Sequence, residues 1–481
     1  MGFFSRIVAL LKQAWETFDD RTGTSQLIGP IMTHPVPEAG RKGWFYVFGS
    51  ATLFSFIVQV VTGIALATAY IPASGEAYQS LQFISDPVNG PTLGPLLRGI
   101  HNYGASAMVV LIGVHALRVF LMGSYKYPRE FSWLSGSVLL LLTLGMAFTG
   151  QLLRWDQTAF WSVIVAAEQA GRAPLIGPAL AQFILGGSTV GGATLSRFYA
   201  FHVFFIPALI FGLIGFHLYM VLHVGISEPP QAGRPVDPKT YRKWYHDMLQ
   251  REGVPFWPDA AWRDAIFGVL VIVTIVALAF ILGPPKVDIP PDPTLLNAYP
   301  RPDWYLLWYF AALALLPPES ENWVIIGGPL VLGLVLFLLP LANRGERHPK
   351  RRPWAIGLSI VVVLMIASLS VVGQISAWSP DFKAQPLSPQ VVASNEPSII
   401  HGAQLFNSKG CQACHAIAGS GGARGPDLTA VGSRLTRDQL VWRILNGGVN
   451  MPAFANNMTP EELTDIVNFL ETRRGTQASS P

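Results

Sequence analysis

Charged residues are scarce in this chain of 481 residues. Asp, Glu, Lys and Arg make up 13% of it, whereas soluble proteins carry about 25%. Apolar residues make up 51%, and the mean hydropathy is +0.38. A deficit of charge over most of the length excludes an ordinary soluble fold and indicates many membrane spans. Only the C-terminal part is polar, which leaves room for one small domain outside the membrane.

Cysteine is also scarce, because the chain contains only Cys411 and Cys414. A disulfide framework is therefore excluded. No basic stripe is interleaved with aromatic residues, so nothing indicates a nucleic-acid partner. The N-terminus lacks a cleavable signal pattern. Residues 1–16 instead predict an amphipathic helix on the membrane surface, with Ile7, Leu10 and Leu11 on its apolar face.

Seven stretches reach the length of about 20 apolar residues that a membrane span needs. Lys and Arg are concentrated before the first span and in every second connection after it. Because basic connections remain cytoplasmic, we expect a cytoplasmic N-terminus and an outer location for the tail after the last span. The spans, named A to G, are residues 44–71, 96–122, 131–153, 197–224, 262–282, 322–341 and 354–372.

Spans B and D each carry two histidines at matched depth. His101 and His115 are 14 residues apart in B, and His202 and His217 are 15 apart in D. At about 100° and 1.5 Å per residue, each pair shares one helix face over about 21–23 Å. Because imidazole is a common axial ligand of haem iron, we predict two stacked bis-histidine haems, at a 101/202 level and a 115/217 level. Membrane histidines bonded to backbone carbonyls are the alternative.

Glycines in spans A and C repeat the same spacing. Gly49 and Gly63 are 14 residues apart in A, and Gly136 and Gly150 are 14 apart in C. A flat macrocycle against a helix needs positions without a Cβ, although glycine also serves close helix packing in membranes. Together with the histidines, these glycines predict a four-helix bundle A–D with two haem b groups in its core.

The sequence Cys411-Gln-Ala-Cys-His415 is the attachment motif of a covalent c-type haem. Both thiols would bond the haem, and His415 would reach the iron. A redox or metal-binding cysteine pair is the alternative, but no second ligand pair accompanies it. The segment around Met451 resembles the axial-methionine segment of class I cytochromes c, whereas Met458 directly precedes Thr459, the predicted cap of the last helix.

These features give residues 43–378 a resemblance to the cytochrome b subunit of Rieske/cytochrome b complexes. Spans A–D are similar to the chloroplast-type subunit, and E–G are similar to its separate partner, subunit IV, here fused. The resemblance implies a low-potential haem at the 101/202 level and a high-potential haem at the 115/217 level. It also implies haem propionates near Arg98 and Arg118, for which snorkelling at helix ends is the alternative.

The connection between spans E and F contains Pro302, Asp303, Trp304 and Tyr305. This segment resembles the family's Pro-Glu-Trp-Tyr, in which the carboxylate accepts a proton from quinol. The resemblance therefore implies an outer-side quinol-oxidation site with Asp303 as base. An interfacial loop of proline and aromatic residues is the alternative. After span C, Arg154 replaces a usual proline.

Two departures from the family concern the inner side. Val47 stands where the chloroplast-type subunit has a haem-binding cysteine, so we expect no covalent third membrane haem. Leu222 replaces an arginine associated with quinone. The inner quinone site is thus implied by the resemblance more than by residues.

The resemblance implies one subunit of a quinol:cytochrome c-type oxidoreductase that works by a Q-cycle in a bacterial inner membrane. One electron from quinol would pass to a separate Rieske protein and a c-type haem, and the other would cross the two b haems to quinone. A c-type cytochrome or a terminal oxidase would accept electrons, and the complex would be a homodimer. A passive electron conduit of a dehydrogenase is the alternative, and an assembly scaffold would leave six iron ligands unexplained.

The expected fold is all-α. It combines a seven-span transmembrane bundle, made of a four-helix haem-binding bundle plus three further spans, with a small C-terminal α-helical cytochrome c domain. The predicted parts are an amphipathic segment 1–42, a di-haem domain 43–225, a linker 226–261, a subunit IV-like domain 262–378, a proline-rich linker 379–397 and a cytochrome c domain 398–475.

Overall fold

A computed structural model describes residues 3–187, 189–292, 301–317, 320–342, 344–376, 380–381, 383–447, 451, 453–455 and 457–474. The protein is 70% helical, and the described residues contain one two-stranded sheet, so the all-α prediction is confirmed. The helices are α1 Phe3–Thr22, α2 Thr24–Met32, α3 Phe48–Ala67, α4 Ala77–Ser85, α5 Gly94–Leu121, α6 Glu130–Leu152, α7 Gln157–Gly171, α8 Gly177–Leu185, α9 Gly192–Ala200, α10 Ile206–Val224, α11 Tyr241–Glu252, α12 Ala261–Leu282, α13 Leu307–Leu315, α14 Gly328–Ala342, α15 Pro353–Ile375, α16 Pro389–Val392, α17 Pro397–Ser408, α18 Cys411–Cys414, α19 Arg437–Asn446 and α20 Pro460–Glu471.

Seven helices of the described chain are long and apolar enough to cross a membrane, which confirms the seven predicted spans. Spans A, B and C are α3, α5 and α6, and span D joins α9 to α10 through a π-helical turn. Many apolar side chains on spans F and G are exposed, as a lipid-facing surface requires. The observed bounds of spans A to G are Phe48–Ala67, Gly94–Leu121, Glu130–Leu152, Gly192–Val224, Phe256–Leu282, Trp323–Ala342 and Pro353–Ile375.

The chain divides into two compact units. The first comprises Met1–Pro291 and Pro317–Ile366, and the second comprises Asp292–Leu316 and Ala367–Pro481. In the first unit, span A packs on B, span C packs on D, and span E packs on both A and B. The sheet pairs β1 (Pro35–Pro37) antiparallel with β2 (Gly253–Pro255) and so ties the segment before span A to the segment before span E.

The core of the four-helix bundle draws on all four of its spans. Phe56, Met108, Leu139 and Ile210 come from A, B, C and D respectively, and all are buried in one cluster. Along the chain, Phe56 lies midway between the two glycines of span A, and Met108 lies midway between the two histidines of span B. Apolar packing therefore separates the 101/202 level from the 115/217 level.

The C-terminal part of the second unit has its own core. Helices α17 and α20 pack closely at Gly402, where a Cβ would collide with the Asp465 carbonyl. The Thr459 hydroxyl accepts a hydrogen bond from the Glu462 amide, which confirms the predicted cap of the last helix. Leu387 and Val392 also pack into this core.

Candidate haem-binding and quinol-oxidation sites

The imidazoles of spans B and D face each other inside the bundle. The ring centroids of His101 and His202 lie 6.2 Å apart. His202 lies within the π-helical turn Phe201–Phe205, which interrupts the α-helical register of span D. A π turn accommodates one residue more than an α turn. It therefore compensates for the spacing of 15 residues in D against 14 in B, which sequence periodicity alone left as a mismatch.

Each of the four glycines lies against one of the four histidines. At the 101/202 level, a Cβ built on Gly63 would lie 3.2 Å from His101 Cε1, and one on Gly150 would lie 2.6 Å from His202 Cε1. Contacts this short leave no room for a larger residue unless the ring moves. The glycines of spans A and C thus define the same level as the histidines of B and D.

The 115/217 level repeats this arrangement, with more room at the glycine of span C. A Cβ on Gly49 would lie 3.1 Å from His115 Cε1, and one on Gly136 would lie 3.4 Å from His217 Cε1. The second distance is an ordinary van der Waals contact. The two levels are therefore built alike, but the fit around the histidines is tightest at Gly150.

Three of the imidazoles are held at Nδ1 by hydroxyl groups. Thr62 Oγ1 lies 2.9 Å from His101 Nδ1, Ser135 Oγ lies 2.9 Å from His217 Nδ1, and Thr149 Oγ1 lies 3.2 Å from His202 Nδ1. His202 Nδ1 also lies 3.1 Å from the Met146 carbonyl oxygen. A carbonyl only accepts, so this Nδ1 carries the proton and donates it.

A protonated Nδ1 leaves the lone pair on Nε2, which is the form of imidazole that binds iron. The sequence left histidines bonded to backbone carbonyls as an alternative to haem ligands. The two are compatible, because Nδ1 makes the carbonyl bond and Nε2 can still bind iron. This donor set fits bis-histidine haem. Sequence reasoning missed the hydroxyls, although each directly precedes one of the predicted glycines.

Two arginines predicted near haem propionates lie in span B. Arg98 is buried and donates from Nη1 to Ser85 Oγ at 2.9 Å. The Arg118 guanidinium lies 3.7 Å from the centre of the Tyr46 ring, and its buried Nε and Nη2 have no hydrogen-bond partner among the described residues. Because buried N–H donors without acceptors are costly, these atoms of Arg118 fit an anionic group such as a propionate.

The c-type motif forms a short helix, α18, that ends at Cys414. Both cysteines are free thiols, and burial raises the pKa of the Cys411 thiol to about 11. His415 Nδ1 donates to the Pro426 carbonyl at 2.8 Å, so its Nε2 is free as a ligand. The ring also lies directly against Gly425, where a Cβ would collide with it.

Both candidate sulfur ligands belong to the same small core. Met451 and Met458 are partly buried and pack against it. Residues 450 and 452, which complete the predicted methionine segment, lie outside the described residues. Met451 therefore stays the predicted ligand on the sequence argument.

The predicted quinol segment begins a helix of the second unit. Asp303 precedes a 3₁₀ turn, Trp304–Leu306, that continues into α13. Pro302 is partly buried, and Trp304 is exposed, with its ring 5.9 Å from that of Tyr305. The buried Tyr305 hydroxyl has no hydrogen-bond partner among the described residues. Burial, followed by the nearby charge of Asp303, raises the pKa of Tyr305, which therefore keeps its proton.

Arg154, which the sequence could not interpret, forms an ion pair with a fully buried carboxylate. Its Nη2 lies 2.8 Å from Asp156 Oδ2. The same carboxylate accepts hydrogen bonds from the Ala159 amide at 2.9 Å and the Asp288 amide at 3.2 Å. Asp156 thus caps α7 and ties it to the chain after span E. The signal for this role was an aspartate directly before a helical run.

A second missed carboxylate lies inside a predicted membrane span. Asp264 of span E lies beside Ser50, the residue after Gly49, and the Ser50 hydroxyl donates to the Val47 carbonyl at 2.9 Å. An acid within an apolar span is costly and is a functional-site signal by default. The sequence offered this signal, because Asp264 lies inside predicted span E. In the structure it stands three residues after the start of α12.

Comparisons with known proteins relate three parts of the chain to cytochrome families. The family described as Cytochrome b/b6/petB matches residues 34–225, and Cytochrome b(C-terminal)/b6/petD matches residues 292–386. The family Cytochrome C oxidase, cbb3-type, subunit III matches residues 397–470, in agreement with the predicted c-type domain. These families imply haem b and haem c.

Relatives and a solved structure cover most of the membrane part. Cytochrome b of Allochromatium vinosum is 31% identical over 341 residues, which cover 67% of this chain and 80% of that protein. The menaquinol:cytochrome c reductase cytochrome b subunit of Geobacillus thermodenitrificans is 36% identical over 226 residues, 46% of this chain and all of that protein. A structure described as hyperthermophilic respiratory Complex III is 26% identical, with a TM-score of 0.63, over 78% of this chain and 92% of its own.

These matches make the protein an integral membrane electron carrier of the kind found in bc-type complexes. The chain belongs to the cytochrome b family, with the b/b6 part and the C-terminal part joined in one polypeptide and a c-type cytochrome domain following them.

Proposed function

We propose that this chain is the membrane subunit of a quinol:cytochrome c-type oxidoreductase that oxidises quinol on the outer side of a bacterial inner membrane. The observation that carries the proposal is the pair of matched levels, at which four histidines meet four glycines. A relative named as a menaquinol:cytochrome c reductase subunit supports the same reaction. We extend the Q-cycle to this chain on that basis.

The proposed iron ligands are His101 with His202 and His115 with His217 for two haem b groups. Cys411 and Cys414 would attach one haem c, with His415 and Met451 as its axial ligands. When bound, these groups carry single electrons. The protein's contribution is to hold Nδ1 of three of these imidazoles by hydrogen bonds and to place a glycine, which has no side chain, against each of the four rings.

Asp303 is the proposed base for quinol, and Pro302, Trp304 and Tyr305 complete its segment. A carboxylate within reach of a quinol hydroxyl can accept its proton. Tyr305 keeps its own proton, because burial raises its pKa, and its hydroxyl, which has no partner among the described residues, can donate to a quinone oxygen. The two side chains thus offer one acceptor and one donor.

On the inner side, Asp264 is the proposed proton donor for quinone reduction. It lies next to Ser50 and hence close to Gly49 of the 115/217 level. An acid at this place supplies the proton chemistry that Leu222 cannot. The basic connections on this side, including the one that contains Lys126 and Arg129, support its cytoplasmic location.

The proposed partners follow from the reaction. A Rieske protein must be a separate subunit, because the two cysteines of this chain belong to the c-type motif. We also propose a homodimer within a multi-subunit complex, with a c-type cytochrome or a terminal oxidase as acceptor.

The first experiment is the haem content of the purified complex, measured by pyridine haemochrome with a redox-difference spectrum. We expect two haem b per haem c, and one or none would contradict the two-level site. The second compares Asp303→Asn with Asp86→Asn, an exposed loop aspartate that bonds its own loop. Asp303→Asn is expected to slow quinol oxidation by about a hundredfold or more at unchanged haem content. If both variants oxidised quinol at the same rate, Asp303 would not be the base.

A further inference from the structure

We propose that Thr62, Ser135 and Thr149 are positioning residues that fix the iron-binding form of three imidazoles and make the two haem levels electronically unequal. Each hydroxyl directly precedes a glycine of the site, in the steps Thr62-Gly63, Ser135-Gly136 and Thr149-Gly150. We call these the hydroxyl–glycine steps. The inference deepens the proposed function, since it requires the histidines to be haem ligands.

The direction of each hydrogen bond follows from counting protons. A hydroxyl has one proton to donate. Thr62 Oγ1 donates it to the Val58 carbonyl at 2.6 Å, and Thr149 Oγ1 donates it to the Gly145 carbonyl at 2.9 Å. Ser135 Oγ donates to the Ser132 carbonyl at 3.1 Å. With that proton on the helix backbone, each hydroxyl accepts from the histidine, and Nδ1 is the protonated nitrogen. At His202 the Met146 carbonyl gives the same direction independently, because a carbonyl cannot donate.

The three hydroxyl–glycine steps share one geometry. Each Nδ1 lies within 3.2 Å of the hydroxyl oxygen of its step, and His202 Nδ1 also lies 3.1 Å from the Met146 carbonyl oxygen, three residues before Thr149. The glycine one residue later leaves space for Cε1 of the same ring. One helical turn of span A or C therefore holds the Nδ1 edge of the imidazole, and this contact leaves Nε2 without the proton.

The fourth histidine lacks this arrangement. Phe48 precedes Gly49, so no hydroxyl is available at that step. Among the described residues, no hydrogen bond to the His115 ring is found, although its Cε1 contacts the Gly49 position as the others do. The 101/202 level thus has two hydroxyl-held imidazoles, and the 115/217 level has one.

The difference has an electronic consequence. An acceptor on Nδ1–H makes imidazole a stronger donor to iron, which stabilises the ferric state and lowers the reduction potential. Two such acceptors at the 101/202 level and one at the 115/217 level favour electron flow from the first level to the second. A side-chain substitution can remove the hydroxyls but not the backbone carbonyls, so mutagenesis tests the hydroxyls alone.

The test is a redox titration of both b haems in the purified complex, after haemochrome analysis has shown two haem b per haem c. Thr62→Val or Thr149→Val is expected to raise the potential of one haem only, and Ser135→Ala is expected to raise that of the other. The reduction equilibrium should change by roughly three- to tenfold, as for one hydrogen bond, and tenfold is about 59 mV for one electron.

Two controls separate this effect from a structural one. Thr143 lies on the same span as Ser135 and Thr149 and is buried, and among the residues that the structure describes its hydroxyl bonds only the Leu139 carbonyl, at 2.8 Å; Thr143→Val removes it. It is expected to leave both potentials unchanged. Thr62→Ser and Thr149→Ser keep the hydroxyl and are expected to restore the wild-type potential.

Opposite results have separate meanings. If the wild type lacks two b haems, the proposed function fails together with the inference. If both haems are bound but the variants shift neither potential, or shift both equally, the positioning role is overturned while the haem assignment stands.

Discussion

The two ends of the four-helix bundle bind backbone groups through charges of opposite sign: a buried carboxylate binds amides at one end, and buried cations bind carbonyls at the other. Beyond the 101/202 level, the central group is the fully buried carboxylate of Asp156, which receives two backbone amides and Arg154. Beyond the 115/217 level, the buried groups are mainly cations. Those with less than a tenth of their surface exposed are Lys126, Arg129, Arg347 and Arg352.

The cations bind the backbone where helices end. Arg352 Nη1 donates to the Phe120 carbonyl at 3.0 Å at the end of span B, and Arg129 Nε donates to the Gly225 carbonyl at 2.8 Å at the end of span D. Terminal carbonyls lack helical donors and carry the negative end of the helix dipole. Basic residues that the sequence identified as topology signals are therefore also structural caps.

The largest effect is expected where the fit at one level is tightest. Gly150→Val would place its Cβ 2.6 Å from His202 Cε1, with two methyl groups beyond it. We expect loss of the haem at the 101/202 level, so that haem b per haem c falls from two to one. The equivalent change Gly136→Val, at 3.4 Å from His217 Cε1, is expected to cost less occupancy.

Gly145→Val is the matched control for this prediction. It lies on the same span, and a Cβ there would meet nothing within 4 Å. Full haem content is expected, as measured by pyridine haemochrome. If Gly150→Val also kept two haem b per haem c, the glycines would serve helix packing alone.

The spacing of histidines and glycines was sufficient to predict which helix faces meet, because periodicity is a local property of the chain. It could not predict the π turn at Phe201–Phe205, since one wider turn leaves no periodic pattern in the sequence. The hydroxyl at Thr149 is visible in the sequence, but its bond to His202 joins residues 53 positions apart. The pairing of Arg154 with a buried Asp156 likewise became visible only when the chain after span E was placed beside them.

Removal of the central carboxylate is the second prediction. Asp156→Ala takes away the cap of α7 and leaves Arg154 without its partner, so we expect a loss of about 3 kcal/mol in the free energy of unfolding. The check is thermal unfolding of the purified complex in detergent. Asp86→Ala, in an exposed loop, is the control and is expected to unfold near the wild-type temperature. Equal midpoints for both variants would contradict a central role for Asp156.

Removal of one cation at the opposite end is expected to cost less. Arg352→Met deletes donors to the Phe120 and Leu121 carbonyls and to the Tyr125 hydroxyl. Since several cations share this end, we expect a loss of about 2 kcal/mol in the same unfolding assay. Lys350→Met removes an exposed charge two residues earlier and is expected to change little. If Arg352→Met lost as much free energy of unfolding as Asp156→Ala, the two ends of the bundle would not differ in their dependence on a single charged group.

The smallest effect concerns pH at the cationic end. Burial, followed by the charges of Arg352 and Arg347, lowers the pKa of Lys126 from 10.5 to about 8. The ammonium donates to the Arg344 and Glu346 carbonyls, bonds that the neutral amine can also make. The unfolded chain therefore holds this proton at pH values where the folded chain has released it.

From this difference the sign of the effect follows. The free energy of unfolding rises as the pH increases from about 8 toward 10.5, because the unfolded state binds more protons over that range. Wild type is thus expected to gain stability relative to Lys126→Met between pH 7 and pH 10, measured by thermal unfolding. Lys350→Met provides the comparison, and the difference between its unfolding midpoint and that of wild type is expected to be the same at both pH values. If the difference in midpoint between Lys126→Met and wild type were also the same at both pH values, burial among the arginines would not disfavour the charge of Lys126.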